Sequence, residues 1–150
     1  MKNHTVAFAK RSLFLAALIA LCASASASAQ NKAIGFKQGM PFSNAYVAGN
    51  TLYVAGQQGP DENGKVTGTD ITLQTTNTLN IIKKIVEDAG FKVTDIVNVT
   101  VYVTDLADVP AMNAVYKKLM PDPKPARATV KVAGLIGDAK IEISAIAVKQ

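Results

Sequence analysis

Arg127 and Glu142 are the two side chains whose type and setting point most directly to chemistry. Arginine occurs once after residue 30, at Arg127, although this part of the chain carries many lysines. The planar guanidinium matches a carboxylate or phosphate through two parallel hydrogen bonds, which an ammonium group cannot do. Arg127 is therefore a candidate for binding an anion, and an ordinary surface cation is the alternative interpretation.

Glu142 lies between two isoleucines in the middle of a predicted strand, where a glutamate is unusual unless it has a partner or a function. Side chains alternate between the two faces of a strand, so Arg127, Thr129 and Lys131 share one face of their own strand. We expect both Arg127 and Glu142 to point to the sheet face that no helix covers. A structural ion pair is the alternative for Glu142, and Lys131 is not expected to be catalytic.

Hydrophobic periodicity and turn residues predict the elements that must position these side chains. The predicted order is a hairpin of strands 45–48 and 51–55, a helix over 70–88, a strand over 95–103, a helix over 109–119, and strands over about 127–133 and 139–148. Gly49-Asn50 is typical of a hairpin turn, Asp70 of a helix N-cap and Gly90 of a helix end. Residues 30–40 are predicted to be a loose arm.

The element order β-β-α-β-α-β-β predicts an α+β domain with both amphipathic helices on one face of the sheet. The helix-covered face is expected to take Val97, Val99, Val101, Ala128, Val130 and Val132. The open face is expected to carry Tyr46, Tyr53, Tyr102, Thr129 and Ile146. This open face is too apolar to be left in water over its whole area, so we predict that another subunit covers it.

Residues 1–29 have the three parts of a cleavable secretory signal peptide. Basic residues precede an apolar run over 13–22, which is too short to span a bilayer stably, and Ala27-Ser28-Ala29 fits a cleavage site. We expect residues 30–150 to form a single domain that is periplasmic or secreted and no longer associated with a membrane. A lipoprotein anchored through Cys22 and a buried N-terminal helix are the alternatives.

Cleavage after Ala29 would leave a chain without cysteine, histidine or tryptophan. That composition excludes a thiol nucleophile, a Ser-His-Asp triad, a disulfide scaffold and a Cys/His zinc site. Loss of Lys2, Lys10 and Arg11 would lower the excess of basic over acidic residues from five to two. Nucleic-acid binding has little support because no basic run remains, and we expect neither a metal nor a cofactor.

Short segments along the chain carry a resemblance to a known family. They are Pro41-Phe42-Ser43, Gly49-Asn50, Ala55-Gly56-Gln57, Met112-Asn113-Ala114-Val115-Tyr116, Pro125-Ala126-Arg127-Ala128 and Lys140-Ile141-Glu142-Ile143-Ser144-Ala145-Ile146-Ala147. Together they resemble the RidA/YjgF family of reactive-intermediate (enamine/imine) deaminases over about 36–149. The resemblance implies a chorismate-mutase-like α+β fold and a homotrimer whose helix-free sheet faces line a central barrel. It also implies active sites in clefts between subunits.

The resemblance further implies roles for individual residues. Arg127 would bind the substrate carboxylate, and Glu142 would position or activate water. Gly56 would contact the ligand through its backbone, and Asn113 would lie near the pocket. The chain departs from the family pattern at three pocket positions: Phe42 replaces a frequent tyrosine, Ala55 a frequent serine, and Thr129 a cysteine or alanine. Because of these departures, the substrate preference of the family does not carry over to this chain.

The implied reaction is hydrolysis of 2-imino or enamino acids to 2-keto acids and ammonia, with no cofactor. Two alternatives stay open. A trimer of this chain could bind small carboxylates, or act as a chaperone-like surface, without turnover. Ribonuclease activity has been attached to relatives of the family, but a near-neutral chain without histidine disfavours it.

Overall fold

A computed structural model describes residues 31–61, 63–66 and 70–150, and the predicted signal peptide lies outside these residues. Within them the chain forms a six-stranded sheet and two α-helices. The strands are β1 (Lys32–Ile34), β2 (Ala45–Ala48), β3 (Thr51–Gln57), β4 (Ile96–Val103), β5 (Ala126–Lys131) and β6 (Ile141–Val148). The helices are α1 (Ile71–Asp88) and α2 (Val109–Leu119), and short 3-10 turns precede β4 and α2.

The sheet has the strand order β1-β2-β3-β6-β4-β5. All neighbouring strands are antiparallel except β4 and β5, which are parallel and are joined through α2. This confirms the predicted α+β class with a mixed sheet. Part of the predicted loose arm is wrong, because residues 32–34 pair with β2 and form the outer strand β1.

The β2–β3 hairpin has the predicted two-residue turn at Gly49-Asn50, where Ala48 pairs with Thr51. Gly49 has a φ of 63°, a left-handed conformation that costs glycine little. Further along β3 the register with β6 shifts between Val54 and Gln57, so an extra residue is inserted there. This β-bulge bends β3 next to Gly56, which becomes important for the site.

Helix α1 begins and ends where the sequence predicts. The Asp70 carboxylate accepts hydrogen bonds from the backbone N–H groups of Thr72 and Leu73, and this satisfies donors that have no partner inside the helix. After the helix, Gly90 adopts a φ of 79°. The buried stripe of α1 packs against α2, β3 and β6.

Helix α2 spans the predicted residues and buries Met112, Val115 and Tyr116. Asp108 precedes it but makes no side-chain cap. Its carboxylate instead accepts a hydrogen bond from the Lys140 ammonium at 2.7 Å, which ties the start of α2 to the start of β6.

Both helices lie on one face of the sheet, and the core lies between them and that face. The sheet contributes alternate residues of its central strands, which are almost fully buried: Val99, Val101, Val103, Ile141, Ile143, Ala145 and Ala147. Burial of each large aliphatic side chain in such a core contributes about 1.5–3 kcal/mol. The prediction that Val97 joins this face is wrong, because the register of β4 with β6 shifts between Ile96 and Asn98. Ile96 takes the inward position and Val97 is 47% exposed.

The opposite face of the sheet has no helix over it and carries exposed apolar side chains. Tyr46 and Tyr53 form a cross-strand pair and are 46% and 50% exposed. Ile146 pairs with Tyr53, and Tyr102 pairs with Glu142 on the same face. The predicted open face is therefore confirmed for the three tyrosines and for Ile146.

Candidate active site

Arg127 lies on the edge strand β5, and its side chain points to the helix-covered face of the sheet. In the parallel β4–β5 register Arg127 is the partner of Val99, which belongs to the buried face of β4. Side chains of paired residues point the same way. The prediction that Arg127 points to the open face is therefore wrong, and so is the placement of Thr129, which pairs with buried Val101.

The same register corrects the other side of β5. Ala128 and Val130 pair with Thr100 and Tyr102 and lie on the open face, where Val130 is 45% exposed. Strand parity shows which residues share a face, but it does not show which face that is. The prediction that the apolar side of β5 faces the core is wrong because the open face of this sheet is also apolar, so apolar character does not distinguish the two faces.

Three residues of α2 hold the Arg127 guanidinium. Its Nη2 donates to Asn113 Oδ1 at 2.7 Å, and its Nη1 lies 3.8 Å from Met112 Sδ. The guanidinium carbon also lies 4.6 Å from the centre of the Tyr116 ring, where a cation is attracted to the electron-rich face of the aromatic group. Asn113 thus lies beside Arg127, as the sequence predicts.

A cavity of about 360 Å³ opens beside the Arg127 guanidinium, with the lining residues Asn113, Tyr116, Lys117, Lys124, Pro125 and Arg127. Three of these six residues are cations, and within the described chain no carboxylate forms an ion pair with Arg127. The Lys124 ammonium donates to the carbonyl oxygens of Lys117 and Met120, at the C-terminal end of α2. The cavity can therefore hold a small anion against Arg127.

Two buried hydroxyl groups lie on the same side of the sheet as Arg127. Tyr116 Oη and Thr129 Oγ1 have no hydrogen-bond partner among the described residues. Burial raises the pKa of Tyr116 above its ordinary value of 10.0, and the nearby Arg127 charge opposes that rise. Tyr116 therefore presents a neutral ring to the guanidinium at physiological pH.

Glu142 lies on the open face of β6, as the sequence predicts, and β3 holds its carboxylate. Gln58 Nε2 donates to Glu142 Oε2 at 3.0 Å. Gly56 lies against the other oxygen: a Cβ atom added to Gly56 would overlap Glu142 Oε1. Glycine is therefore required at position 56 for the Glu142 carboxylate to keep its place, and the predicted site residues Gly56 and Glu142 are brought together.

Within one chain, Arg127 and Glu142 form two separate clusters. Strand β4 lies between β5 and β6, so the two strands are about 10 Å apart, and the partners of Arg127 and Glu142 on β4 are Val99 and Tyr102. Val99 and Tyr102 are three residues apart along β4, which separates the two sites by about a further 10 Å in the strand direction. The Arg127 and Glu142 side chains also point to opposite faces of the sheet. One small molecule cannot contact both side chains of a single chain.

The remaining predicted residues lie outside the Arg127 cavity. Phe42 precedes β2, is 54% exposed and does not line the cavity. Ala55 belongs to the β3 bulge, where its carbonyl accepts a hydrogen bond from Gln57. Lys131 is exposed at the end of β5. A larger cavity of about 670 Å³ lies over the outer side of α1, and neither Arg127 nor Glu142 lines it.

Sequence reasoning missed Gln58 and Tyr116 as members of the two clusters. The sequence pattern places Tyr116 on the apolar side of α2, and only its spacing of three residues from Asn113 could have linked it to Arg127. Gln58 follows the end of β3, and no sequence pattern connects it with Glu142. In the described residues no three His, Cys, Asp or Glu side chains come together to form a metal site.

These observations define a small α+β protein with helices on one sheet face, an apolar open face and a cationic cavity at the sheet edge. Residues 34–149 match the family described as endoribonuclease L-PSP. The chain therefore belongs to this family, which includes the proteins called RidA and YjgF. In the described part of the chain, no helix is both long and apolar enough to cross a bilayer.

Individual relatives agree with this assignment. A RutC family protein from Pyrococcus horikoshii is 44% identical over 111 residues, which are 73% of this chain and 88% of the relative. The 2-iminobutanoate/2-iminopropanoate deaminase of Salmonella typhimurium is 39% identical over 113 residues, again 73% and 88% of the two chains. The crystal structure of RidA from an Antarctic Psychrobacter superposes with a TM-score of 0.69 and 34% identity, covering 79% of this chain and 94% of that one.

Proposed function

We propose that this protein hydrolyses reactive 2-imino acids, and their enamine tautomers, to 2-keto acids and ammonia. The observation that carries the proposal is the Arg127 guanidinium, which α2 holds beside a small cavity and which has no carboxylate partner among the described residues. Relatives that carry the name 2-iminobutanoate/2-iminopropanoate deaminase support the same substrate class.

Arg127 binds the carboxylate that every 2-imino acid carries next to the imine carbon. Met112 and Asn113 contact different terminal nitrogens of the guanidinium, and the N–H groups that have no partner among the described residues can donate two parallel hydrogen bonds to the substrate. Fixing the carboxylate also fixes the imine carbon, because the two groups are directly bonded. Binding thus places the reacting carbon at a defined distance from the water-activating group.

Glu142 activates the water. As the water oxygen bonds to the imine carbon and the C=N electron pair moves to the nitrogen, one water proton passes to Glu142, and Glu142 gives that proton to the imine nitrogen, so the product is a neutral carbinolamine. Glu142 then takes the hydroxyl proton and passes it to the amino group as the C–N bond breaks, so that ammonia leaves and the oxygen becomes the keto oxygen. The sum is one imine plus one water giving one ketone and one ammonia, with no net change in protons on the protein.

The two residues reach one substrate only if they come from different subunits. We propose that the open sheet faces of three copies line the centre of a trimer and that the β5 edge of one subunit packs beside the open face of the next, so that Arg127 of one subunit lies across the interface from Glu142 of its neighbour. The apolar surface that includes Tyr46, Tyr53 and Val130 supports this packing, because large exposed apolar patches mark interfaces. The family resemblance supplies the number three.

The test of the proposed reaction uses an amino-acid oxidase to generate 2-iminopropanoate or 2-iminobutanoate, with release of keto acid followed over time. The protein should accelerate release over the spontaneous rate, and Arg127→Ala should lose this acceleration by a factor of about 100 or more, since it removes two charge-assisted hydrogen bonds. Lys131→Ala is the matched control, because it removes an exposed cation from the same face of the same strand. No acceleration by the wild-type protein, or full activity in Arg127→Ala, would exclude the proposal.

Binding without turnover is the alternative, and Glu142→Gln separates the two functions. The substitution keeps the size of the side chain but removes the proton acceptor. If the protein is a deaminase, Glu142→Gln should lose keto-acid release and still bind pyruvate in calorimetry. A pure binder would show no wild-type acceleration for the substitution to remove.

We also propose that residues 1–29 act as a cleaved signal peptide and that residues 30–150 work in the periplasm or outside the cell. The family match supports this division, since it begins at residue 34 and includes none of the proposed leader. Mass spectrometry of the protein from periplasmic and cytoplasmic fractions tests it. A mature chain beginning at Gln30 in the periplasmic fraction is expected, and an uncleaved cytoplasmic chain would refute it.

A further inference from the structure

The Glu142 carboxylate has different surroundings at its two oxygens. Gln58 Nε2 donates to Oε2 at 3.0 Å, across 84 residues of sequence. No other described residue donates a hydrogen bond to this carboxylate. Both side chains are partly buried. One oxygen of Glu142 therefore has a donor and the other has none.

The second oxygen lies against the backbone of β3. The bulge between Val54 and Gln57 brings Gly56 under Glu142, so closely that a Cβ atom at position 56 would overlap Oε1. The carboxylate is thus held between a glycine on one side and an amide on the other. A partial rotation about its terminal bond would break the Gln58 hydrogen bond, so the carboxylate keeps one oxygen position beside Gln58 and the other against Gly56.

We propose that Gln58 is a positioning residue for the proposed hydrolysis. Its amide occupies Glu142 Oε2, and this leaves Oε1 as the oxygen that holds the water and accepts its proton. The inference rests on the proposed function. Beyond the proposed function, the two oxygens of Glu142 have separate roles, and Gln58 has a role although it contacts neither substrate nor water.

An amide suits this role because it directs the carboxylate without neutralising it. A lysine or arginine at position 58 would form an ion pair and weaken the carboxylate as a base, whereas glutamine adds a donor with no net charge. The neighbouring Gln57 shows the contrast. Its amide donates to the carbonyl of Ala55 at 3.1 Å, within the same bulge, and makes no contact with Glu142.

The experiment compares Gln58→Met with Gln57→Met, because methionine keeps the length of the side chain and removes the amide. In Gln58→Met, kcat should fall about tenfold or more while KM stays within about twofold, since Arg127 binds the carboxylate on a separate cluster. Gln57→Met should keep kcat. Unchanged kcat in Gln58→Met, or an equal loss of kcat in Gln57→Met, would overturn the inference while leaving the proposed reaction intact.

Crystal structures of the wild-type protein and Gln58→Met give a readout that needs no turnover. The Glu142 carboxylate should rotate or become disordered in the variant and keep its place in Gln57→Met. An unmoved carboxylate in Gln58→Met would overturn the inference. A wild-type protein without deaminase activity would instead refute the proposed function, and the structures would still decide whether Gln58 positions Glu142.

Discussion

The two residues proposed to do the chemistry are held by different kinds of contact. Arg127 rests on the ring of Tyr116 and donates to Asn113, both on α2. The Gln58 amide donates to Glu142, and Gly56 leaves room for the Glu142 carboxylate because it has no side chain. That Arg127, Glu142, Gly56 and Asn113 are candidates for a site could be predicted from the sequence, because their types are unusual or match a family pattern. The contacts that orient them could not, since they depend on the register between strands.

At the residue scale, Gly56→Ala tests how the Glu142 carboxylate is placed. The new methyl group would overlap Oε1, so the carboxylate must move and kcat should fall about tenfold or more, with the fold retained. Gly134→Ala is the control, because a Cβ atom at Gly134 meets nothing within 4 Å. Steady-state kinetics and circular dichroism of both variants check the prediction, which fails if Gly56→Ala keeps the wild-type kcat.

At the scale of elements, the sequence predicted the helices and central strands well because their signals are local. Asp70 marks the start of α1, and Gly49-Asn50 marks the hairpin. The prediction of which sheet face each side chain of β5 points to is wrong, because that property is not local. Its parallel register with β4 turns Arg127 towards α2, and no periodicity within 126–131 contains that information. The short pairing of β1 with β2 was missed for the same reason.

The contact between α2 and β5 makes a testable prediction about stability. The Tyr116 hydroxyl is buried with no partner among the described residues, so Tyr116→Phe should leave the free energy of unfolding unchanged or raise it by about 1 kcal/mol at pH 7. Because burial raises the pKa of Tyr116 in the folded state above the ordinary 10.0, the folded protein holds this proton more tightly than the unfolded chain. The wild-type protein should therefore lose stability as pH rises above about 10, and Tyr116→Phe should not share this part of the loss.

Urea unfolding of both proteins at a fixed protein concentration measures this difference. The pH is varied from 8 to 11, and the upper limit is about one unit above the ordinary pKa of tyrosine. The gap between Tyr116→Phe and wild type should be constant below pH 9 and widen above pH 10. Parallel curves over the whole range would show that Tyr116 has an ordinary pKa in the folded protein.

At the scale of the whole molecule, the apolar open face and the separation of Arg127 from Glu142 point to the same assembly. An open face with Tyr53 half exposed is costly in water, and Arg127 and Glu142 of one chain cannot contact the same small molecule. The apolar character of this face was predictable from the alternation of residues along the strands. A site shared by two subunits is what the family resemblance implies, and the pairing of β5 with β4 supports it because Arg127 and Glu142 leave opposite faces of the sheet.

Tyr53→Glu tests whether the open face is buried between subunits. The charge would have to be desolvated in the interface, so the variant should become monomeric and lose deaminase activity. Leu73→Glu is a matched control, because Leu73 is 49% exposed, against 50% for Tyr53, but lies on α1, on the other side of the sheet. Light scattering after gel filtration gives the oligomeric state, and a trimeric Tyr53→Glu would contradict the proposed interface.

The most direct test of the central claim is complementation between two inactive variants. Arg127→Ala and Glu142→Gln are each expected to be inactive alone. When the two chains are co-expressed and assemble at random into cyclic trimers, about one quarter of the sites should combine an intact Arg127 with an intact Glu142 from the neighbouring subunit. The account predicts that keto-acid release returns to about one quarter of the wild-type rate. No activity in mixed trimers whose composition is verified by native mass spectrometry would contradict it.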